Sequence, residues 1–243
     1  MRRSPIALSM LLAMPASAAA QAGVRATPAS AAPGTTTAAF VIRQGDDTVA
    51  IERFTRQAGR LEGDRVVRIP RTAVTHYVAT LAPDGTVMRF ESATRSGAEL
   101  DQPAVRSATI AFAGDTSVVT ARTGDSTRTT RIPARRLATP IIGFSYALYE
   151  QVVRHAVATG RDSLAVDLIF SASPDPIETW VRRIAADSAV IGFFGEPARV
   201  RIDRDGNIQE LRGVQSAQQL VVTRIPTADI DSLARAFAAG DPE

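Results

Sequence analysis

The sequence contains no cysteine and no lysine, and only two of its 243 residues are histidine. Without cysteine the chain forms no disulfide bond and carries no lipid on a cysteine, so its core must hold the fold and it is not a bacterial lipoprotein. Two histidines and no thiol leave almost no ligands for a zinc site. We therefore expect neither a metal nor a cofactor.

All 28 basic residues are arginine, and the chain contains 25 acidic residues. The arginines are spread along the chain: those from Arg53 to Arg71 are interspersed with Glu52, Glu62 and Asp64. This pattern is typical of a solvated surface with many ion pairs, whereas a phosphate-binding face concentrates positive charge. The sequence predicts no nucleic-acid partner.

The N-terminus, MRRSPIALSMLLAMPASAAAQAG, has the features of a Sec-type signal peptide. Arg2 and Arg3 precede an apolar run from Ile6 to Met14, and small residues follow it. We expect cleavage after Ala22, or alternatively after Ala20. The apolar run is about half of the ~20 residues that cross a bilayer, and no later segment reaches that length. The mature chain is therefore predicted to lack a transmembrane segment and to be periplasmic or secreted.

The remaining chain divides by composition into a leader and one domain. Residues 23–37, GVRATPASAAPGTTT, are small and almost uncharged, and they offer too little apolar surface to offset the entropy of ordering. We expect a disordered leader there and a single β-rich domain over residues 38–243.

Alternating apolar and polar residues indicate half-buried antiparallel strands in this domain. The pattern is clear in TVMRFES at 86–92 and ARVRID at 198–203. Turn signals that contain glycine separate such runs, namely QGDD at 44–47, PDG at 83–85, AGDT at 113–116, TGDS at 123–126 and RDGN at 204–207. DRDGN resembles the start of a calcium loop, but it lacks the later carboxylate and sits where a hairpin needs a turn. The spacing predicts roughly thirteen strands.

Two segments have a helical period instead, from about Phe144 to Gly160 and from Ala228 to Ala239. The first has one apolar stripe, with Gln151, Arg154 and His155 on the other side. A sheet of so many strands must curl, close or split, and an amphipathic helix fills its concave side. We predict a mainly β fold, a strongly curved antiparallel sheet or open barrel around one central helix, with a short C-terminal helix.

Ser145, in GFSYA, matches the start of a nucleophile elbow, the turn that carries the catalytic serine of many hydrolases. Pro140 is expected to end any strand before this turn. His155 lies about 15 Å further along the same helix, beyond reach of the hydroxyl. His76 precedes the serine, in the reverse of the hydrolase order, and its alternation with Val74 and Val78 favours a hydrogen-bonded strand residue. We therefore expect a protein that is not an enzyme. A serine hydrolase is the third of our hypotheses, after the two described next.

Aromatic residues make up only 5% of the chain and are concentrated after position 143. This concentration leads to our first hypothesis, that the protein binds a hydrophobic ligand. An apolar cavity between helix and sheet would hold a lipid-like or other hydrophobic ligand, lined by Phe144, Tyr146, Tyr149, Trp180, Phe193 and Phe194. The alternative is a structural or protein-interaction module of the cell envelope. A solid core with an exposed apolar patch or an open sheet edge would favour that alternative.

The order of these segments resembles a family type. A strand meander is followed by FSYALYEQVVRHA, DSLAVDLIF, ETWVRRI, DSAVIGF and ARVRIDRDGNIQEL. This order resembles the uncharacterised secreted curved β-sheet proteins of Gram-negative envelopes. It is more distantly similar to the LolA-type and LolB-type lipoprotein carriers. The resemblance implies an unclosed sheet over helices, a hydrophobic ligand or an envelope protein as partner, and no site carried over by individual residues.

Overall fold

A computed structural model describes residues 34–68, 71–97, 99–134, 136–193, 196–213 and 219–240. The side chains of Phe193 and Glu196 are not described. The predicted signal peptide and its cleavage sites, most of the leader, and Phe194 lie outside the described residues.

Fifteen strands and two helices make up the described chain. They are β1 Thr36–Gln44, β2 Asp47–Gln57, β3 Arg60–Val67, β4 Ala73–Leu81, β5 Val87–Ser96, β6 Arg106–Ala113, β7 Thr116–Thr123, β8 Ser126–Pro133, β9 Leu137–Ile141, α1 Tyr146–Ala158, β10 Ser163–Phe170, β11 Ile177–Ala185, β12 Ser188–Phe193, β13 Glu196–Ile202, β14 Ile208–Gly213, β15 Leu220–Ile225 and α2 Ile230–Ala238.

All fifteen strands belong to one curved sheet that does not close. Its order is β8-β7-β6-β5-β4-β3-β2-β1-β15-β14-β13-β12-β11-β10-β9, so β8 and β9 are its two edges although they are consecutive in the chain. Neighbouring strands are antiparallel except β9 and β10, which are parallel and joined through α1. The predicted mainly β fold with a central and a C-terminal helix is confirmed.

The strand count is higher than the predicted thirteen because not every hairpin turn contains glycine. Ala185 of β11 pairs with Ser188 of β12, so the turn between them is Ala186 and Asp187. The leader was also predicted too long, since β1 begins at Thr36, where the chain already pairs with Arg56 of β2.

The turns that were predicted from glycine are confirmed. Gly45, Gly85, Gly114, Gly124 and Gly206 all have positive φ angles, between 56° and 82°. Glycine adopts this region without the steric cost of a Cβ atom, so it is favoured in the tight turns between strands. The DRDGN segment forms such a turn, since the Asp203 amide donates to the Asn207 carbonyl at 3.0 Å.

Helix α1 lies on the concave inner face of the sheet. Leu148, Val152, Val153 and Ala156 are buried in one continuous core together with inward residues of most strands. The helix is shorter than predicted because Phe144 has a φ of +59°, which an α-helix does not accommodate. Neither described helix has the length and apolar character that crossing a membrane requires.

Helix α2 packs on the opposite, outer face of the sheet. Ile230 and Ala234 form a second, small apolar cluster with Ile51 of β2 and Val66 of β3. The side chain of Asp229 caps its first turn by accepting from the Ser232 amide. The two helices therefore sit on different faces of the same sheet.

The expectation that Pro140 ends the strand before α1 was wrong. Pro140 lies inside β9 and pairs in register with Ile169 of β10. Proline is tolerated there because β9 is an edge strand and needs hydrogen bonds on one side only.

Candidate functional site

The interior of the sheet holds a buried carboxylate at the start of α1. Glu52 of β2 is fully buried, and its Oε1 accepts hydrogen bonds from Tyr77 Oη at 2.5 Å and Ser145 Oγ at 2.6 Å. Its Oε2 accepts from the backbone amides of Tyr146 at 2.6 Å and Ala147 at 3.0 Å. The first helical turn leaves such amides without partners inside the helix. A strand residue therefore caps α1, while the Ser145 side chain makes no cap hydrogen bond of its own.

The electrostatics around Glu52 contain opposing effects. Burial raises the pKa of the Glu52 carboxyl, and the hydrogen bonds from Ser145, Tyr77 and the two amides act to lower it. Arg65 lies directly opposite on β3 and donates to Thr75 Oγ1 at 3.1 Å. Burial lowers the pKa of Arg65 to about 10, and the charge of Glu52 acts to raise it. Both groups belong to one charged cluster inside the core.

This arrangement depends on a glycine in β3. Tyr77 of β4 is fully buried and pairs in register with Gly63. A Cβ atom at Gly63 would overlap the Tyr77 phenol. The missing side chain lets the ring lie across the strand and bring its hydroxyl to Glu52.

A second buried carboxylate lies in the middle of α1. Glu150 Oε1 accepts from Arg56 Nη1 of β2 at 2.7 Å, and its Oε2 accepts from Arg224 of β15 and from the Ile208 amide at 2.8 Å. The Glu150 side chain is fully buried, and its two arginine partners are 9% and 13% exposed. Removing one member of such a group leaves buried charge uncompensated and costs about 3–5 kcal/mol. Glu52 and Glu150 together fix α1 to the sheet; we call them the two helix anchors.

The geometry around Ser145 differs from that of a nucleophile. Its hydroxyl is fully buried and donates to Glu52. His155 donates through Nδ1 to the Asp84 carbonyl at 3.0 Å, and His76 lies on the outer face beside Asp64. The serine therefore has a carboxylate as its hydrogen-bond partner, and both histidines are engaged elsewhere.

Three of the aromatic residues predicted to bind a ligand come together near the start of α1. Tyr146 and Tyr149 are fully or almost fully buried, and their ring centroids are 6.1 Å apart. Tyr146 also packs edge-on against Phe40 of β1, at 6.3 Å, and Phe144 packs partly buried against the same core. These rings belong to the apolar core between helix and sheet.

Trp180 is not part of that group. Its neighbours in β11, Thr179 and Val181, are buried, and successive side chains of a strand point to opposite faces. Trp180 therefore lies on the outer face, half-buried, with the Arg182 guanidinium 5.2 Å from its ring. The structure describes only the backbone of Phe193.

The outer face carries a groove of about 390 Å³ between β2–β5, the start of α2 and the β5–β6 connection. Its floor is a row of paired residues across four strands, Arg53, Asp64, His76 and Ala93. Asp64 accepts from Arg53 Nη2 at 2.8 Å and lies 2.9 Å from His76 Nδ1. The hydrogen bond with His76 lowers the pKa of the Asp64 carboxyl and raises the pKa of the imidazole.

The two edges of the sheet differ strongly. Strand β9 has five residues, of which the last three are buried, and it lies against β5. Strand β8 has eight residues, STRTTRIP, and all but Thr130 and Ile132 are exposed. Within the described residues no strand pairs with the outer side of β8. Exposed edges of this kind are where additional strands pair.

The register of β8 shows which of its backbone groups face this open side. Thr123 pairs with Ser126, and further along the Ala134 amide donates to Asp115 at 2.7 Å. In an antiparallel pair the bonded positions alternate, so even-numbered residues of β8 bond to β7. The backbone amides and carbonyls of Thr127, Thr129 and Arg131 therefore point outward. Pro133 occupies the next outward position, where its missing amide hydrogen breaks no ladder bond.

The strands of this sheet end carry charge of one sign, and the acidic residues Asp115 and Asp125 lie in the turns between them. Strands β6, β7 and β8 carry Arg106, Arg122, Arg128 and Arg131, and they contain no acidic residue. In other strands several arginines are paired with carboxylates, as in Arg53 with Asp64 and Arg89 with Glu91. The general interspersion that the sequence indicates therefore has a local exception. We call β8 together with these arginines the open edge.

The helix anchors were missed from the sequence although a signal was present. Glu52 alternates in phase with Ala50 and Phe54, which face the core. Glu150 lies four residues after Tyr146 and three before Val153, on the buried stripe of α1. In both cases a lone acidic residue at an inward position marked a buried charge that needs partners.

No protein-family model and no curated protein matches the chain. Among solved structures it is similar to a DUF1089 family protein from Pseudomonas aeruginosa, with 12% identity, a TM-score of 0.49, and coverage of 68% of this chain and 89% of that one. It is also similar to a β-barrel-like protein of the domain of unknown function DUF1849 from Brucella abortus, with 11% identity, a TM-score of 0.49, and coverage of 80% and 97%. The likeness to lipoprotein carriers stays a prediction.

Proposed function

We propose that the chain is an exported, non-enzymatic module of the cell envelope, which binds a protein partner by adding the partner's strand to β8. The observation that carries this proposal is the open edge, an exposed eight-residue strand with three outward-facing backbone positions. A strand that docks there gains main-chain hydrogen bonds of about 1 kcal/mol each.

Export is supported by the N-terminal sequence alone, where Arg2 and Arg3 precede an apolar run and a series of small residues. A non-enzymatic role is supported by the surroundings of Ser145, whose hydroxyl is buried against Glu52. The absence of cysteine suits a protein whose partner binding does not depend on a redox state.

The packing of the interior favours a protein partner over a lipid-like guest. Tyr146 and Tyr149 stand where a guest would need space, and both are in contact with other core residues. The groove of about 390 Å³ lies on the outer face and is lined mostly by charged side chains. A core filled by aromatic side chains, together with an open sheet edge, is the combination expected of an interaction module.

The partner that fits is an extended segment with acidic side chains. Side chains of an added strand alternate between the two faces of the sheet, and the open edge carries arginine on both. Arg131 and Arg122 lie on the outer face, while Arg128 shares the face of the buried Ile132. Carboxylates opposite these guanidiniums complement their charge.

A second copy of the chain fits less well. Antiparallel pairing of β8 with itself, centred on Thr129, places Arg131 opposite Thr127 of the other copy and brings Arg128 and Arg131 of both copies to one seam. Positive charge concentrated on both sides of a seam disfavours the pairing. The edge thereby disfavours self-association and favours a different, acidic strand.

The test uses a labelled threonine–glutamate peptide with the repeat Thr-Thr-Glu-Glu, which puts carboxylates on both faces of an added strand, in fluorescence anisotropy. A threonine–lysine peptide of equal length and the same repeat is its counterpart. We expect the acidic peptide to bind and the basic peptide to bind at least about tenfold more weakly. Equal binding of the two peptides, or binding of neither, would overturn the proposal.

Thr129→Pro and Thr129→Ala form a matched pair for the same assay. Both remove the hydroxyl that contacts Thr120, but only proline removes the outward amide hydrogen. We expect the proline variant to lose about tenfold or more in affinity and the alanine variant to bind like the wild type. Equal loss in both variants would contradict strand addition. Sedimentation of the free protein as a dimer that Thr129→Pro dissociates would show that the edge binds a second copy instead.

A further inference from the structure

The groove on the outer face is lined by charged side chains of both signs. Arg95 of β5, Asp101 of the β5–β6 connection, and Asp231 and Arg235 of α2 all line it. These four side chains are exposed, and none of them forms an ion pair with another described residue. Groups of opposite charge thus face one space without meeting in it.

The floor of the groove is, by contrast, internally satisfied. Asp64 is bracketed by Arg53 and His76, which use both of its carboxylate oxygens. The ring of His76 also lies 3.6 Å from Glu62. Because these contacts occupy the floor groups, the four charges at the rim are the groups available to a ligand.

We propose that this groove binds a small zwitterion, a free amino acid or short peptide that carries one ammonium and one carboxylate group. Arg95 and Arg235 are the groups that attract the carboxylate, and Asp101 and Asp231 those that attract the ammonium. A ligand that carries both charges contacts acidic and basic rim groups at the same time. A ligand with one charge leaves half of the rim unpaired.

The remaining lining and the size of the groove define the ligand further. Val74, Ala93, Leu100 and Ile230 add apolar surface beside the charges. This combination suits an aliphatic side chain next to a polar backbone. A volume of about 390 Å³ is at the small end of the range of ligand sites, which accommodates one or two residues.

The experiment compares three forms of one dipeptide by isothermal titration calorimetry. Leucyl-leucine carries both charges, N-acetyl-leucyl-leucine lacks the ammonium, and leucyl-leucinamide lacks the carboxylate. We expect the unmodified dipeptide to bind about tenfold or more tightly than either derivative, since each removes one charge-assisted contact. Equal binding of the acetylated form would show a site for anions only, equal binding of the amide a site for cations only, and no binding of the dipeptide no site; each result would overturn the proposal.

Two positions of β5 provide a matched pair of variants. Arg95 lines the groove, whereas Arg89 lies on the same strand and face, outside the groove and paired with Glu91. We expect Arg95→Gln to weaken the dipeptide about tenfold and Arg89→Gln to leave it unchanged. An equal effect of the two substitutions would mean that general surface charge, rather than the groove, attracts the ligand.

The groove shares no residue with the open edge, so the two proposals stand separately. Thr129→Pro, which tests strand addition, is expected to bind the dipeptide like the wild type. If the dipeptide fails to bind while the acidic strand peptide binds, only the groove proposal is wrong; the reverse result removes only the edge proposal.

Discussion

The helix anchors and the open edge are the most different environments of this sheet. At the anchors, Glu52 and Glu150 are fully buried and every carboxylate oxygen accepts at least one hydrogen bond. At the open edge, the side chains of β8 are mostly exposed and its outward backbone groups lie in solvent. The anchor carboxylates have their hydrogen-bond donors within the protein, whereas the outward backbone groups of the open edge have no partner in the described chain.

Because of this difference, we expect substitutions at the anchors to change stability and substitutions at the open edge to change binding. Substitution at an anchor leaves buried partners without a counterpart, so its cost appears as lost folding free energy. Substitution at the open edge removes groups that water already solvates, so folding is little affected and binding changes instead. Each prediction below places a residue on one side of this division.

The largest effect is expected from Glu150→Gln. The amide keeps the shape of the side chain but removes the charge that Arg56 and Arg224 share. We expect a loss of about 3–5 kcal/mol in the free energy of unfolding, measured by urea denaturation. Glu178→Gln, at the exposed ion pair with Arg136, is the control and should cost under about 1 kcal/mol. Equal, small losses in both variants would show that the Glu150 ion pairs contribute no more to stability than an exposed ion pair.

A smaller loss is expected from Tyr77→Phe. The ring remains in place over Gly63, but Glu52 loses the hydroxyl that donates to it at 2.5 Å. Loss of a buried hydrogen bond to a carboxylate predicts about 1.5–3 kcal/mol of destabilisation in the same denaturation assay. Thr37→Val removes the exposed hydroxyl contact with Thr55 and should change stability by less than about 0.5 kcal/mol. If Tyr77→Phe is as stable as the wild type, Glu52 does not depend on this donor.

The pair Asp64–His76 lies between the two extremes and predicts a small, pH-dependent effect. Because the folded protein raises the pKa of His76, this imidazole stabilises the fold fully below its ordinary value of 6.5 and loses the effect as pH rises through the raised pKa. Asp64 has a lowered pKa, so its contribution is present above 3.8 and fades as pH falls. We expect His76→Gln to be less stable than the wild type near pH 5, by well under about 1 kcal/mol since the side chain is half exposed.

Thermal unfolding of both proteins from pH 4 to pH 9 measures this difference. It should be greatest near pH 5 and shrink at alkaline pH. A difference that instead grows with pH would show that the neutral ring, rather than the imidazolium, makes the stabilising contact.

How much of this was predictable from the sequence depends on the range of the interaction. Turns are local, and Gly45 or Gly206 marked them because glycine accepts positive φ angles. The central helix followed from the apolar stripe of Val152, Val153 and their neighbours. Alternation predicted the sheet for the same reason, since it depends only on adjacent residues.

The site depends on pairings that span most of the chain. Glu52 meets Ser145 across 93 residues, and Arg224 meets Glu150 across 74. The identity of the edge strands is likewise a property of the whole sheet, because β8 and β9 are adjacent in sequence and yet occupy opposite ends. The polar sequence STRTTRIP, in which Ile132 is the one buried residue, was a local signal of an edge strand, but which strands lie beside β8 depends on the whole sheet.

The central claim, that β8 is free to accept a strand, is tested most directly by residue-resolved amide hydrogen exchange in the free protein and with the threonine–glutamate peptide. Amides of Thr127, Thr129 and Arg131 should exchange rapidly in the free protein and become protected on binding. Those of Arg128, Thr130 and Ile132, which bond to β7, should be protected in both. Rapid exchange of the first three amides that the bound peptide leaves unchanged, or protection already present in the free protein, would contradict the account.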